Sequence, residues 1–130
     1  NIVKQGDDLS VITYGAMVHE TNFAIKKLEE EGYSIEIVDL RTISPLDTET
    51  IFNSVKKTGK AIVIHEDTLT GGFGAEIAAK VAEFSFEHLD GPVRRIAAKD
   101  TPIPYHPNLE NVVLPNRERI YTELKNLLNY

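Results

Sequence analysis

The sequence predicts an α/β domain, a mainly parallel sheet covered by helices on both faces. Three observations carry this. Short apolar runs rich in β-branched residues alternate with stretches of helical periodicity. Glycines punctuate the chain where helices should end. A length of 130 residues, 42% hydrophobic and 26% charged, fits one compact domain with one core. Parallel neighbours need a crossover helix between them, so alternation of strand and helix implies helices on both faces of the sheet.

The elements follow in order. Ile2-Val3-Lys4 is a weak first strand, and Leu9 to Tyr14 a stronger second one that runs into Gly15. A helix begins there, with Met17, Thr21, Ala24, Ile25 and Leu28 on one face at helical spacing and Gly32 at a left-handed C-cap position. Ser34 to Leu40 reads as a strand. In Ser44-Pro45-Leu46-Asp47, Ser44 suits a helix N-cap, Pro45 the first helical position and Asp47 the reciprocal capping-box position. Ile51, Phe52 and Val55 then form a buried stripe, and Gly59 ends the helix. Ala61 to Ile64 is a buried strand. Gly71, Gly72 and Gly74 open a helix whose inward face is Phe73, Ile77, Val81 and Phe84. Gly91-Pro92 precedes the last strand, Val93 to Ala97. The proline-rich stretch from Asp100 to Pro115 is expected to be an extended surface loop. Asn116 caps a final helix with Ile120, Leu124, Leu127 and Leu128 inward.

Composition excludes several classes of function. Cysteine is absent, which removes disulfides, thiol catalysis and thiolate metal sites. The formal net charge of −6 is a poor match for nucleic acid or anionic lipid and a better one for a basic protein partner. No apolar run approaches bilayer-spanning length, and the start lacks a signal-peptide pattern, so a cytoplasmic location is expected, or the mitochondrial matrix in a eukaryote. The only methionine is Met17, and residues 1–130 are read as one domain cut from a longer subunit.

Chemistry in an open parallel sheet gathers beyond the carboxyl ends of the strands. His65-Glu66-Asp67 followed by Gly71-Gly72-Phe73-Gly74 is the most conspicuous segment there. A histidine beside carboxylates suits acid–base work, and glycines before a helix suit an anion. The spacing is neither GxGxxG nor a phosphate loop, however, and Glu76 in the first turn would repel a phosphate. Neighbouring strand residues point to opposite faces, so His65, Glu66 and Asp67 do not converge on one metal ion. A tight strand-to-helix connection at a domain interface is the better reading. Arg41, between Asp39 and Asp47, reads as an ion pair closing a turn, with an anion clamp as the functional alternative. Glu29-Glu30-Glu31 reads as a solvated helix tip, partly compensated by Lys26 and Lys27. No nucleophile–base pair emerges, and no catalytic, cofactor-binding or metal residue is assigned.

Several segments, in order, resemble one family. They are Val11 to Val18 (VITYGAMV), Val38 to Asp47 (VDLRTISPLD), Lys57 to Lys60, His65-Glu66 with Leu69 to Phe73, and Asp100 to Pro104. Together they resemble the carboxyl-terminal domain of the transketolase superfamily, in its 2-oxo acid dehydrogenase beta-subunit branch and most nearly the branched-chain (2-oxoisovalerate) enzymes. The resemblance implies a three-layer α/β/α fold with a five-stranded mixed sheet of order 1-3-2-4-5, strand 1 antiparallel. It implies an alpha2beta2 oxidoreductase, with an alpha subunit and a second beta subunit, that uses thiamin diphosphate and magnesium to decarboxylate a 2-oxo acid and pass the acyl group to a lipoyl acceptor. Those cofactors would be held outside this domain, which alone is expected to be inactive and to bind none. Its expected work is subunit association, shaping an active-site channel and docking the subunit-binding domain of a dihydrolipoyl acyltransferase. Interface or channel candidates are His65, Glu66, Gly71, Gly72, Gly74 and Arg41, and the docking candidate is Tyr130. Pyruvate and acetoin dehydrogenase beta subunits are the alternatives within the family. A different transketolase-like enzyme and a non-catalytic doubly wound binding or assembly module are the alternatives outside that branch.

Overall fold

The computed structural model describes residues 1–40, 46–68, 73–98 and 116–130. The strands are β1 (Ile2–Lys4), β2 (Leu9–Thr13), β3 (Ile35–Asp39), β4 (Ala61–Thr68) and β5 (Arg94–Ala98). Among the described residues the helices are α1 (Ala16–Glu30), α2 (Thr48–Thr58), α3 (Phe73–Phe84) and α4 (Arg117–Leu128), with a 3-10 turn at Phe86–His88. The sheet order is β1-β3-β2-β4-β5. β2 pairs in parallel with β3 and β4, β4 in parallel with β5, and only β1 runs antiparallel, against β3. The expected order and the odd first strand are both present.

Strand alternation divides the core in two. Leu9, Val11, Ile35, Ile37, Ile62 and Ile64 face α1 and α4, whereas Ile12, Val38, Ala61 and Val63 face α2 and α3. The stripe read from α1 is the buried one: Met17, Thr21, Ala24, Ile25 and Leu28. That helix ends in a Schellman motif. Gly32, at φ 96°, donates to the Glu29 carbonyl and Tyr33 to the Leu28 carbonyl. Gly59 (φ 78°) closes α2, and Asn116 caps α4 by accepting from the Arg119 N–H at 2.9 Å. Ile120, Leu124 and Leu127 are buried on α4, and Leu128 packs at the edge of the same cluster.

Two expectations are corrected. First, α2 begins at Thr48, later than the helix start expected at Pro45. The N-cap is Asp47, whose carboxylate accepts from the Thr50 N–H at 3.1 Å and the Thr50 hydroxyl at 2.7 Å. A carboxylate at the N-terminal end of the helix also meets the positive end of its dipole. Second, Phe84 is 62% exposed, because the inward position after Val81 is taken by Ser85 and the Phe84 ring lies at the rim against Phe52, centroids 5.7 Å apart. The glutamates closing α1 are exposed, as a solvated tip requires, and two of them also pair. Glu29 pairs with Lys4 at 2.8 Å, and Glu31 accepts from Lys125 and from the Tyr121 hydroxyl, which ties α1 to α4. These bonds, that from Lys125 foremost, hold the Glu31 carboxyl below its usual range. Lys26 and Lys27 lie on aromatic rings, and the Lys27 charge also favours the ionised Glu31. The Asp100–Pro115 loop, Ser44 and Pro45 are outside the described residues.

Candidate functional site

The carboxyl edge of the sheet is assembled by β2 and β4. The Thr13 hydroxyl donates to the Ile64 carbonyl at 2.7 Å, and the Leu40 N–H to the Thr13 carbonyl at 2.9 Å, so the three central strands end in register. β2 then turns at Gly15, whose φ of 64° and ψ of −141° suit glycine and start α1 with no side-chain cap. β4 runs four residues further than its apolar run. Between the pairs Ile64–Ile96 and Thr68–Ala98, β4 spends four residues where β5 spends two, so the stretch through His65 and Glu66 leaves the regular ladder.

His65 is fully buried and Glu66 exposed, on opposite sides of the strand. The His65 ring lies parallel to Tyr14, centroids 6.3 Å apart with 5° between planes. It also packs on the backbone of Gly74, where a Cβ would come within 3.0 Å of Cε1 and closer to Nε2 and Cδ2. Gly74 is therefore the position that lets α3 lie on His65. Tyr14, His65 and Gly74 are brought together. Glu66 is turned away from them, and Arg41, Gly71 and Gly72 lie outside the described residues. Among the described residues no three His, Asp or Glu side chains gather as a metal site. No helix there is long and apolar enough to cross a membrane.

Tyr130 lies at the opposite end of the sheet. It is 70% exposed, with one edge of its ring on Gly91, where a Cβ would stand 3.1 Å from Cδ1. The chain end is held. Lys60 donates to the Leu128 carbonyl at 2.9 Å, the Tyr33 hydroxyl to Asn129 at 3.1 Å, and the Tyr130 N–H to the Leu127 carbonyl. A hollow of about 180 Å³ beside it is lined by Arg94, Glu123, Asn126, Leu127 and Tyr130.

Sequence reasoning missed a buried polar network. Glu36, 2% exposed on β3, accepts from the Gly6 N–H at 3.2 Å and from Lys57. The Ser10 hydroxyl lies 2.6 Å from that of Ser54 and 2.7 Å from that of Thr58. Burial pushes the Glu36 carboxyl up, but the bonds from Lys57, Ser54 and Gly6 together hold it below its ordinary value. The available signal was register: Ser10 and Glu36 interrupt apolar runs at partnered positions of adjacent strands.

The chain is thus a five-stranded α/β/α layer domain with one antiparallel edge strand and a tight His–Gly contact at its carboxyl edge. The chain belongs to the transketolase C-terminal domain family, whose model matches residues 1–120. It is 45% identical over all 130 residues to the pyruvate dehydrogenase E1 component subunit beta of Staphylococcus aureus, and 44% identical to that of Staphylococcus epidermidis. The chain spans 40% of the length of each. Among solved structures, a split-gene transketolase described as an inactive beta4 tetramer superposes with a TM-score of 0.84 at 23% identity, covering 99% of this chain and 41% of that one. The 2-oxoglutarate:ferredoxin oxidoreductase of Magnetococcus marinus superposes with a TM-score of 0.63 at 14% identity, over 98% of this chain and 20% of that one. These two likenesses concern the fold.

Proposed function

We propose that this chain is the carboxyl-terminal domain of the beta subunit of a thiamin-diphosphate- and magnesium-dependent 2-oxo acid dehydrogenase, and that it assembles the enzyme instead of making or breaking bonds. The observation that carries this is the uninterrupted similarity of all 130 residues to pyruvate dehydrogenase beta subunits. On substrate, those relatives support pyruvate, whereas the sequence motifs around His65 and Leu69 favour a branched-chain 2-oxo acid. The assembled enzyme, with its alpha subunit, decides between them by the ratio of kcat/KM for pyruvate and 2-oxoisovalerate. Decarboxylation of neither would refute the reading.

The described residues offer thiamin diphosphate and magnesium no holding set: His65 is buried behind Gly74 and no acidic cluster stands near it. No step is assigned to them. In the proposal the cofactor is held elsewhere in the alpha2beta2 enzyme, so calorimetry of this chain alone should show no binding, and micromolar affinity would overturn that. Gly71, Gly72, Gly74, His65, Glu66 and Arg41 are proposed to face a subunit or domain boundary. Gly72→Val should impair assembly with the alpha subunit more than it impairs folding. Tyr130 is proposed to dock the basic subunit-binding domain of the acyltransferase. Support comes from its held, exposed position and from the acidic balance of the chain. Removing Asn129 and Tyr130, extending the chain past Tyr130, or raising salt should each weaken docking. Unchanged affinity in all three refutes this role.

A further inference from the structure

Tyr130 combines two opposed properties. It is 70% exposed, yet the last turn of α4, which carries it, is tied down from two sides. Exposed residues after a final helix usually fray, so the ties call for a reason.

Both ties start from rigid roots. Lys60 follows Gly59, the left-handed cap of α2, and its carbonyl accepts from the Ser10 N–H at 2.8 Å and the Thr58 hydroxyl at 3.0 Å. Its ammonium reaches α4, on the opposite face of the sheet from α2, and donates to the Leu128 carbonyl at 2.9 Å. A carbonyl in the last turn of a helix has no internal partner and lies at the negative end of the dipole, so a cation suits it. Tyr33 is rooted in the Schellman turn of α1, with its ring against the core, and its hydroxyl donates to the Asn129 side chain at 3.1 Å. The Lys60 segment also sets the surface beneath Tyr130. The Asp90 N–H donates to the Gly59 carbonyl at 2.7 Å, and the next residue is Gly91, on which the edge of the Tyr130 ring lies. Gly59-Lys60 therefore fixes both the helix that carries the ring and the backbone on which the ring rests. An exposed aromatic side chain held in this way has little freedom left to lose when a partner covers it, and tyrosine is among the side chains that anchor interfaces.

We infer that Lys60 and Tyr33 are positioning residues that hold Tyr130 in one orientation for docking. The inference rests on the docking role proposed above for Tyr130 and names the residues that make it effective. Charge alone predicts the opposite sign for Lys60. Removing its ammonium makes the chain more acidic, which favours a basic partner, whereas loss of positioning weakens docking.

The chain has no tryptophan, so Tyr130→Trp supplies a single fluorescent reporter. Time-resolved anisotropy of its indole should follow overall tumbling, and should gain a nanosecond wobble when Lys60→Met or Tyr33→Phe is added. Lys60→Arg should keep the slow decay. Affinity for the purified subunit-binding domain of the acyltransferase is then measured on the assembled enzyme with Tyr130 in place, well below the melting temperature of each variant. Lys60→Met and Tyr33→Phe should each weaken it about two- to tenfold, the range set by immobilising one side chain on binding. Lys60→Arg should dock as the wild type does. An indole that wobbles no faster in either variant overturns the inference. Docking that Lys60→Met leaves unchanged or strengthens, while Tyr130→Ala weakens it, also overturns it. Docking untouched by Tyr130→Ala refutes the docking role itself, and the inference falls with it.

Discussion

Replacing Gly74 with alanine reverses a common rule. Inside a helix alanine is favoured over glycine by about 1 kcal/mol. At position 74 the added Cβ would stand 3.0 Å from His65 Cε1 and closer to two further ring atoms. The ring has little room to retreat, being fully buried with Tyr14 parallel to it at 6.3 Å. Overpacking of a rigid site costs about 2–3 kcal/mol, so Gly74→Ala should destabilise the domain by about 1–2 kcal/mol net. For a chain of 130 residues this lowers Tm by about 4–7 °C. Thermal melts of the wild type, Gly74→Ala, His65→Ala and the double variant form a cycle. A favourable coupling of about 1–3 kcal/mol is expected, because removing the imidazole makes room for the new methyl. A Gly74→Ala protein as stable as the wild type, or a cycle that closes without coupling, would refute the packing account.

Three further outcomes are expected. Asp47→Ala should cost about 1 kcal/mol through loss of the α2 cap, while Ser44→Ala leaves the α2 cap bond intact; melts of both variants check this. The Thr50 hydroxyl and N–H hold the Asp47 carboxyl below its ordinary value. The cap's contribution is therefore complete above the unfolded pKa of aspartate and fades as pH falls through the lower folded value, so the gap between wild type and Asp47→Ala should narrow in acid and persist near neutrality. Glu36→Ala strips the Gly6 N–H of its acceptor and Lys57 of its partner, at a cost of about 2–4 kcal/mol by urea unfolding, and Glu36→Gln should cost less. If Glu36→Ala proves neutral, the network is ornamental. Gly59→Ala forces a left-handed φ of 78° on an L side chain and brings its Cβ to 3.1 Å of Asp90 Cγ, so a loss of about 1–2 kcal/mol is expected in the same assay.

Much of the fold was legible because it rests on local rules. The inward stripes of α1 and α4, the left-handed glycines at 32 and 59 and the Asn116 cap follow from spacing and backbone preference, which act within a few residues. The errors arose where competition decided. Ser44 and Asp47 both satisfy a cap pattern, and the Thr50 hydroxyl, a second donor to the carboxylate, goes with Asp47. Phe84 fits the helical period of α3, but the helix ends there and Ser85 turns inward.

The candidate site was less legible. Its motif drew attention to His65 and Gly74, yet nothing in their spacing says that the imidazole packs on the glycine backbone. The sequence by itself determined which residues are strand, helix or turn, which faces are apolar, and the acidic balance of the chain. The mainly parallel direction followed from the alternation of strand and helix, whereas strand order and the antiparallel first strand were expected from family likeness. Only the tertiary structure decided how distant groups meet: Glu31 with Lys125, Ser10 with Thr58, Phe23 with Arg117. The physical reason is range. Periodicity and capping act between near neighbours in sequence, whereas a cation settles on a ring, or a hydroxyl on a hydroxyl, only after the sheet has fixed the helices on its two faces.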